Sequence, residues 1–207
     1  MRTRTGLLAI IIVCSACCVA HAKTVVLTAA HWDQAALLTE DVPLMGSACI
    51  NDYMVSPKQT LLIRYSLGEI PPGMRITNAE WMIPVRYGQD VRFYAWRILQ
   101  AWGAGVCHEY RMVRPEKLKW AEPGARALGT DKFVEPTAAC RPQAGDMSQS
   151  GNDGGIVVNV TKDVALWYTG AALNFGWMIT AEDNVYFHSP FGRGPDTWKL
   201  RITYEPE

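Results

Sequence analysis

Short runs of alternating apolar and polar residues, separated by Pro, Gly, Asn and Asp, follow one another along most of the chain. The clearest run is 77–85, where Ala79, Trp81, Ile83 and Val85 fall on one face and polar or smaller residues fall on the other. A period of two is typical of a half-buried β-strand, because successive side chains of a strand point to opposite sides of the sheet. This pattern predicts an all-β protein.

Other segments either alternate with the same period of two or are rich in β-branched and aromatic residues. The predicted strands are 24–27, 61–67, 77–85, 91–99, 156–160, 175–180, 185–187 and 198–204. We expect 91–99 to pair with 77–85 across the turn at 87–90. A helix of one or two turns is predicted at 163–167, with Thr161 placed to cap it. The interpretation is an antiparallel, jelly-roll-like β-sandwich with one short helix, and 100–154 is its least regular part.

Residues 1–22 have the pattern of a secretory signal peptide. Arg2 and Arg4 precede an apolar stretch that ends in Ala20-His21-Ala22, and a positive n-region, an apolar core and an Ala-x-Ala site predict cleavage there. The stretch is shorter than the roughly 20 apolar residues that a membrane-spanning helix needs. We therefore expect a secreted or extracytoplasmic domain without a transmembrane segment. Lipidation at Cys17, which would make the protein a lipoprotein, is the alternative.

Cleavage would leave three cysteines, Cys49, Cys107 and Cys140, in a single domain that spans residues 23–207. Export places thiols in an oxidising compartment, where three cysteines are most simply explained as one disulfide and one free thiol. We predict a Cys107–Cys140 disulfide, because it would close the irregular part of the chain and contribute on the order of 3–4 kcal/mol. Three buried, unpaired thiols are the alternative.

The charge of the chain is balanced, with 20 basic and 20 acidic residues and a formal net charge of zero. Loss of Arg2 and Arg4 with the signal peptide would make the exported domain mildly acidic. No basic excess remains to neutralise a phosphate backbone, so nucleic acid is not an expected partner.

The order of several motifs along the chain resembles that of a known domain family. These motifs are LLIRYSL (61–67), IPPG (70–73), ITNA (76–79), Trp102, VTKDVALW (160–167), Gly170, NFGW (174–177) and LRITY (200–204). They resemble the DNRLRE domain, a secreted β-sandwich module similar to disaggregatase-related and alginate-binding carbohydrate modules. The resemblance implies a jelly-roll-like scaffold in a cell-surface or exported protein that acts on or adheres to polysaccharides.

Aromatic residues are the most informative candidates for ligand binding, because sugar rings pack their C–H faces on flat aromatic rings. If Phe93 points inward, Arg92, Tyr94 and Trp96 project outward from one strand and form a first platform. A second candidate surface combines aromatic rings with a local basic excess, which suits an acidic polysaccharide, and comprises Trp102, Tyr110, Arg111, Arg114, Lys117, Lys119 and Trp120. The alternative is that the tryptophans cover apolar core beneath long loops.

Metal sites have weaker support in the sequence. Asp146, Asn152 and Asp153 offer oxygen ligands for Ca²⁺ on a polar loop, but their spacing matches no EF-hand. Zinc is disfavoured, because Cys107 and His108 are adjacent and cannot easily ligate one ion together, and no Cys-x-x-Cys pair exists. We expect no cofactor beyond a calcium ion.

Catalytic motifs are absent from the sequence, which has no Gly-x-Ser-x-Gly and no His-Glu-x-x-His. His31, His108 and His188, the histidines beyond the signal peptide, are interpreted as packing or surface residues. The favoured hypothesis is a non-catalytic module that binds an extracellular, acidic polysaccharide or cell-surface glycan. Two alternatives stay open, namely a structural or adhesive surface component that binds protein, and a cryptic polysaccharide lyase or hydrolase whose paired carboxylates are distant in sequence.

Overall fold

A computed structural model describes residues 21–28, 32–41, 46–47, 53–146, 155–188 and 198–207. These residues form fifteen strands and one α-helix, which confirms the predicted all-β class. The strands are, in chain order, β1 (Lys23–Leu27), β2 (Trp32–Thr39), β3 (Gly46–Ser47), β4 (Tyr53–Val55), β5 (Gln59–Tyr65), β6 (Met74–Ile83), β7 (Val85–Tyr87), β8 (Phe93–Arg97), β9 (Tyr110–Met112), β10 (Leu118–Lys119), β11 (Ala138–Cys140), β12 (Ile156–Asn159), β13 (Trp177–Ala181), β14 (Val185–Phe187) and β15 (Lys199–Pro206). The helix α1 is Thr161–Tyr168, and no helix in the described part of the chain is long and apolar enough to cross a membrane.

Antiparallel pairing assembles most of these strands into three sheets. The six-stranded sheet has the order β11-β8-β13-β5-β2-β3, the four-stranded sheet β1-β15-β6-β12 and the three-stranded sheet β4-β14-β7. Strands β6 and β7 are separated only by Pro84, so the chain passes directly from the four-stranded into the three-stranded sheet. β9 and β10 form a separate hairpin.

The six-stranded sheet packs face to face against the other two sheets, and aromatic rings fill the space between them. Trp81 of β6 stacks on Trp177 of β13 with ring centroids 4.8 Å apart. Phe93 of β8 meets Phe187 of β14 edge to face at 5.4 Å. The face predicted for 77–85 is confirmed, because Trp81 and its alternate neighbours on that face are fully buried. Burial of such rings is the largest apolar contribution to the sandwich.

Helix α1 covers one end of the core with Val164 and Trp167, both buried. The prediction that Thr161 caps this helix is wrong, because Val160 is the N-cap residue and has no side chain that can accept a capping hydrogen bond. Thr161 is the first helical residue, and its hydroxyl accepts a hydrogen bond from the backbone N–H of Ala79 at 2.8 Å. It therefore joins the helix to β6 instead of closing the helix end.

A buried ion pair connects α1 to the six-stranded sheet. Asp163 lies with its Oδ1 3.5 Å from a terminal nitrogen of Arg97, and the two side chains are about one-tenth exposed. Its Oδ2 accepts hydrogen bonds from the indole N–H of Trp177 at 2.9 Å and the hydroxyl of Thr137 at 2.6 Å. The guanidinium also lies over the ring of Phe133, 4.5 Å from its centroid. The carboxylate thus joins four chain segments.

The predicted pairing of 91–99 with 77–85 is wrong. β8 pairs with β11 and β13 in the six-stranded sheet. In the opposite layer, β6, which contains most of 77–85, pairs with β12 and β15, and β7 pairs with β14. Between them, Gly88 has φ 118° and Asp90 has φ 63°. Two residues in the left-handed region turn the chain, and here it crosses from one layer of the sandwich to the other.

An outer layer, residues 98–132, covers the outward face of the six-stranded sheet. Its apolar side chains pack with outward-facing residues of the sheet in a second cluster comprising Ala36, Leu38, Leu62, Ile98, Trp102, Val106, Trp120, Ala125 and Met178. Asp131 is fully buried in this layer, and its carboxylate accepts the backbone N–H groups of Ala121, Glu122 and Ala127 at 3.0, 3.0 and 3.3 Å. The least regular part of the sequence is therefore an ordered third layer here.

The predicted Cys107–Cys140 disulfide is not formed, because both residues are free, buried thiols. Cys140 belongs to the core between the sheets, whereas Cys107 lies in the outer layer, where its carbonyl accepts the indole N–H of Trp120. The six-stranded sheet separates the two sulfur atoms. Burial raises the pKa of Cys140 to about 11, which keeps this thiol protonated at neutral pH. Cys49 lies outside the described residues.

Candidate functional site

The first predicted platform lies on the outward face of β8. Phe93 and Ala95 are fully buried, so Arg92, Tyr94 and Trp96 project to the other side of the strand. The alternation predicted from the sequence is therefore confirmed. These three side chains lie on the same outer surface of the six-stranded sheet, at its border with the outer layer.

Neighbouring side chains hold this β8 platform in place. The hydroxyl of Tyr94 donates to Glu182 Oε1 at 2.7 Å, and Arg92 lies 3.9 Å from the same oxygen. The indole N–H of Trp96 donates to the hydroxyl of Thr180 at 2.9 Å. Thr180 and Glu182 were not singled out in the sequence, although their alternation with buried Ile179 and Ala181 would have indicated an outward orientation. The polar groups of the platform are thus largely bonded to one another.

Lys132 limits the use of Trp96 as a stacking surface. Its ammonium lies 4.2 Å from the centroid of the Trp96 ring, a cation–π contact that covers one face of the indole. Lys132 itself is only 9% exposed, and burial lowers the pKa of its ammonium. No periodicity in the sequence indicated this contact, because Lys132 comes from the outer layer and reaches β8 through tertiary packing. A sugar ring would have to displace Lys132 to stack there.

Trp102 and Trp120 are core residues of the outer layer and not exposed stacking surfaces. They are 2% and 4% exposed, and their indole N–H groups donate to the carbonyls of Phe175 and Cys107. The alternative that these rings cover apolar core holds for both. We remove them from the candidate site, because a ring with this burial has no face left for a ligand.

The remaining residues of the second predicted surface lie on one feature, the basic hairpin (residues 110–119), which contains β9 and β10. Tyr110 is half-buried, and the ammonium groups of Lys117 and Lys119 lie 5.1 and 5.8 Å from the centroid of its ring. Arg111 donates to the carbonyl of Ala101 at 2.6 Å, which fixes its guanidinium against the outer layer. The structure therefore brings one aromatic ring and two lysine ammonium groups together, with Arg111 and Arg114 on the same hairpin.

The exposed cations of the basic hairpin have no acidic partner among the described residues. Arg114, Lys117 and Lys119 are exposed, and none of them forms an ion pair within the described residues. Some cations elsewhere in the same residues are paired with carboxylates, as in Lys58–Asp41, Arg75–Glu205 and Arg201–Glu80. Glu116 is the single acid among residues 111–119. The hairpin thus presents unneutralised positive charge beside a tyrosine ring.

His108 lies behind this hairpin and is buried, at 6% exposure, against Gly124. Burial and the charge of Arg126 lower the pKa of its imidazole, so it is neutral at pH 7. The imidazole therefore packs within the outer layer, beside Gly124. Its position agrees with the interpretation of His108 as a packing residue, and His31 lies outside the described residues.

Metal-ligand geometry gives no support to a site in the described part of the chain. Among the described residues, no group of three or more His, Cys, Asp or Glu side chains is placed to hold an ion. Of the predicted calcium ligands, Asp146 accepts the backbone N–H of Gln143 at 2.8 Å, while Asn152 and Asp153 lie outside the described residues.

Comparison with known proteins adds no function to this geometry. No protein-family model matches the chain, and no curated protein matches it in sequence.

Proposed function

We propose that this protein is an exported, non-catalytic β-sandwich that binds acidic polysaccharides through its basic hairpin. The observation that carries the proposal is a set of three exposed hairpin cations, Arg114, Lys117 and Lys119, which form no ion pair within the described residues, and two of which, the lysines, lie over the ring of Tyr110. The carboxylates of a uronic acid chain would bind the cations, which the half-buried ring of Tyr110 supports from beneath through its contacts with the two lysines. Arg111 holds the base of this surface.

Two features of the sequence support the same function. The predicted signal peptide would place the protein outside the cytoplasm, where acidic polysaccharides of walls and capsules occur. The order of motifs that resembles the DNRLRE domain implies a jelly-roll-like module that works on or adheres to polysaccharides. The balanced net charge argues for a local patch, because the protein as a whole does not attract anions.

The test is binding of polygalacturonate to the protein and to two charge-matched triple variants. Arg114→Ser/Lys117→Ser/Lys119→Ser removes three unpaired cations from the hairpin. Each exposed contact is worth about 1 kcal/mol or less, so we expect the Kd to rise roughly 10- to 100-fold. Isothermal titration calorimetry, with thermal melting to check folding, measures this effect.

The control removes the same charge from other surfaces. Lys58→Ser/Arg75→Ser/Arg201→Ser changes three cations that are paired with carboxylates, and we expect nearly unchanged affinity. Equal loss of affinity in both variants would mean that only net charge matters and would contradict a site at the hairpin. Stronger binding to a neutral glucan than to polygalacturonate would contradict the choice of ligand.

A further inference from the structure

A second aromatic surface lies on the opposite side of the molecule. Met54, Tyr186 and Tyr87 are directly paired neighbours on β4, β14 and β7, and they form a row across the three-stranded sheet, here called the tyrosine row. Val185 and Phe187, which flank Tyr186 on β14, are fully buried, so Tyr186 projects outward. Tyr87 is 58% exposed, and the two tyrosine rings meet edge to face at 6.1 Å.

The backbone beneath the tyrosine row is held close and firmly packed. Gly88 follows Tyr87 with φ 118°, and a Cβ at this position would lie 3.0 Å from the Cα of Val185. Only glycine therefore lets the turn approach β14 so closely. The inward neighbours on all three strands are buried in the core. A surface whose rings are already positioned loses little conformational entropy when a ligand binds.

The chemistry of the row suits an acidic sugar chain. Neighbouring strands lie about 4.8 Å apart, so three strands present a strip about 10 Å long, comparable with a disaccharide. The guanidinium of Arg86 lies 5.1 Å from the centroid of the Tyr87 ring and places positive charge at one end of the strip. Aromatic faces pack against the C–H faces of pyranose rings, and a guanidinium beside them can donate hydrogen bonds to a carboxylate.

The tyrosine row and the basic hairpin face away from each other. Phe187 of the three-stranded sheet meets Phe93 of the six-stranded sheet inside the sandwich, so these two sheets face one another. The row lies on the outer surface of the first sheet, and the hairpin belongs to the layer that covers the outer surface of the second. Two sheets about 10 Å apart, and the outer layer, stand between the two surfaces.

We infer that the tyrosine row is a second contact surface for acidic polysaccharide, which makes the protein bivalent and able to cross-link two chains. This inference rests on the proposed function of the hairpin and adds a consequence that one site cannot produce. A short oligomer cannot contact two sites on opposite faces at once, so its affinity reflects one site only. Long chains can occupy both sites, and the overall binding strength then exceeds that of either site alone.

The test uses Tyr87→Ser, with Leu173→Ser as a control that alters a side chain 71% exposed elsewhere. Mixed with long-chain polygalacturonate, the wild type and the control are expected to raise light scattering and viscosity several-fold. Tyr87→Ser is expected to lose this cross-linking, while its Kd for a short oligogalacturonide at the hairpin changes less than about threefold. Tyr87→Phe, which keeps the ring, is expected to cross-link like the wild type, and thermal melting checks that each variant folds.

Two results separate failure of this inference from failure of the proposed function. If Tyr87→Ser cross-links as well as the wild type while the triple hairpin variant does not, the row is not a second site but the hairpin still binds. If the triple hairpin variant cross-links as well as the wild type, the proposed function itself fails. Sedimentation that shows a wild-type dimer lost in Tyr87→Ser would identify the row as an interface between two copies of the chain and would overturn the inference.

Discussion

The sandwich core and the outer layer each enclose a buried aspartate, and the two carboxylates are bonded in different ways. In the core, Asp163 is held by side chains, namely Arg97, Thr137 and Trp177, which come from distant parts of the chain. In the outer layer, Asp131 accepts three backbone N–H groups that lie within ten residues of it.

This difference predicts how the stability of each region responds when its aspartate is replaced. Loss of Asp163 removes the junction between α1 and the six-stranded sheet, so the effect should reach the whole fold. Loss of Asp131 removes the acceptor of three backbone N–H groups, all of which belong to the outer layer. The effect should therefore stay largely within that layer. The basic hairpin belongs to the outer layer, and the candidate site therefore depends on the second aspartate more than on the first.

Asp163→Ala is expected to have the largest effect on stability. The substitution leaves the Arg97 guanidinium buried without its carboxylate and the indole N–H of Trp177 without its acceptor. Breaking one side of a buried ion pair costs about 3–5 kcal/mol in the free energy of unfolding. Urea denaturation followed by tryptophan fluorescence measures this loss.

Two further variants sharpen the Asp163 prediction. Asp183→Ala changes an exposed aspartate, and its effect should stay within about 0.5 kcal/mol. The double variant Arg97→Met/Asp163→Leu removes both charges and should recover much of the stability lost by Asp163→Ala. If Asp163→Ala costs no more than Asp183→Ala, the buried pair does not hold the core together.

Asp131→Ala is expected to have the second largest effect, with a local character. Three partly buried backbone N–H groups lose their acceptor, and we expect a loss of about 1–3 kcal/mol in the free energy of unfolding. Hydrogen exchange should show faster exchange in residues 98–132, with core strands such as β6 and β13 protected as in the wild type. Equal acceleration in the core strands would show that the outer layer and the sandwich unfold as one unit.

A smaller, pH-dependent effect is expected at His108. The buried imidazole has a pKa below its ordinary value of 6.5, so below pH 6.5 the unfolded chain binds a proton that the folded chain does not. Stability contributed by the neutral imidazole is therefore present above pH 6.5 and is lost as the pH falls through the folded-state pKa.

The measurement compares wild type with His108→Gln at pH 7.5 and pH 5.5. The wild type should lose more stability than the variant between these two values, because glutamine does not titrate. An identical pH dependence in both proteins would assign the change to other groups near the imidazole, of which Arg126, Glu40 and Glu109 are the charged ones.

The smallest effect on stability is expected for the hairpin variant Arg114→Ser/Lys117→Ser/Lys119→Ser. These exposed side chains form no ion pair within the described residues, so the free energy of unfolding should change by no more than about 0.5 kcal/mol. Denaturation curves measure this change. A loss above 1 kcal/mol would show that the cations support the outer layer structurally and would weaken the argument that they are kept for binding.

The sequence predicted the sandwich core well because one face of each core strand is buried. The alternation of Leu200, Ile202 and Tyr204 has a clear physical cause, and all three are buried as expected. The same reasoning failed at the turn after β7, because residues in the left-handed region can close a hairpin or carry the chain to the other sheet. Local sequence does not separate these two outcomes.

The candidate site was predictable only in part. Local charge found the basic hairpin, because four cations lie close together in residues 111–119. It could not show that Trp102 and Trp120 are buried, since their cover comes from Leu62 and Met178 on distant strands. The number of cysteines and the expected oxidising compartment suggested a disulfide. Cys107 and Cys140 lie in different layers, however, and the number of cysteines says nothing about the distance between them.

Hydrogen exchange in the presence of saturating polygalacturonate tests the central claim most directly. If the basic hairpin binds the polysaccharide, peptides that cover residues 110–119 should gain protection, and this gain should weaken as ionic strength rises from about 0.01 M to about 0.15 M, over which the Debye length falls from about 30 Å to about 8 Å. Unchanged exchange in these peptides, with the protein shown to be bound, would contradict the account.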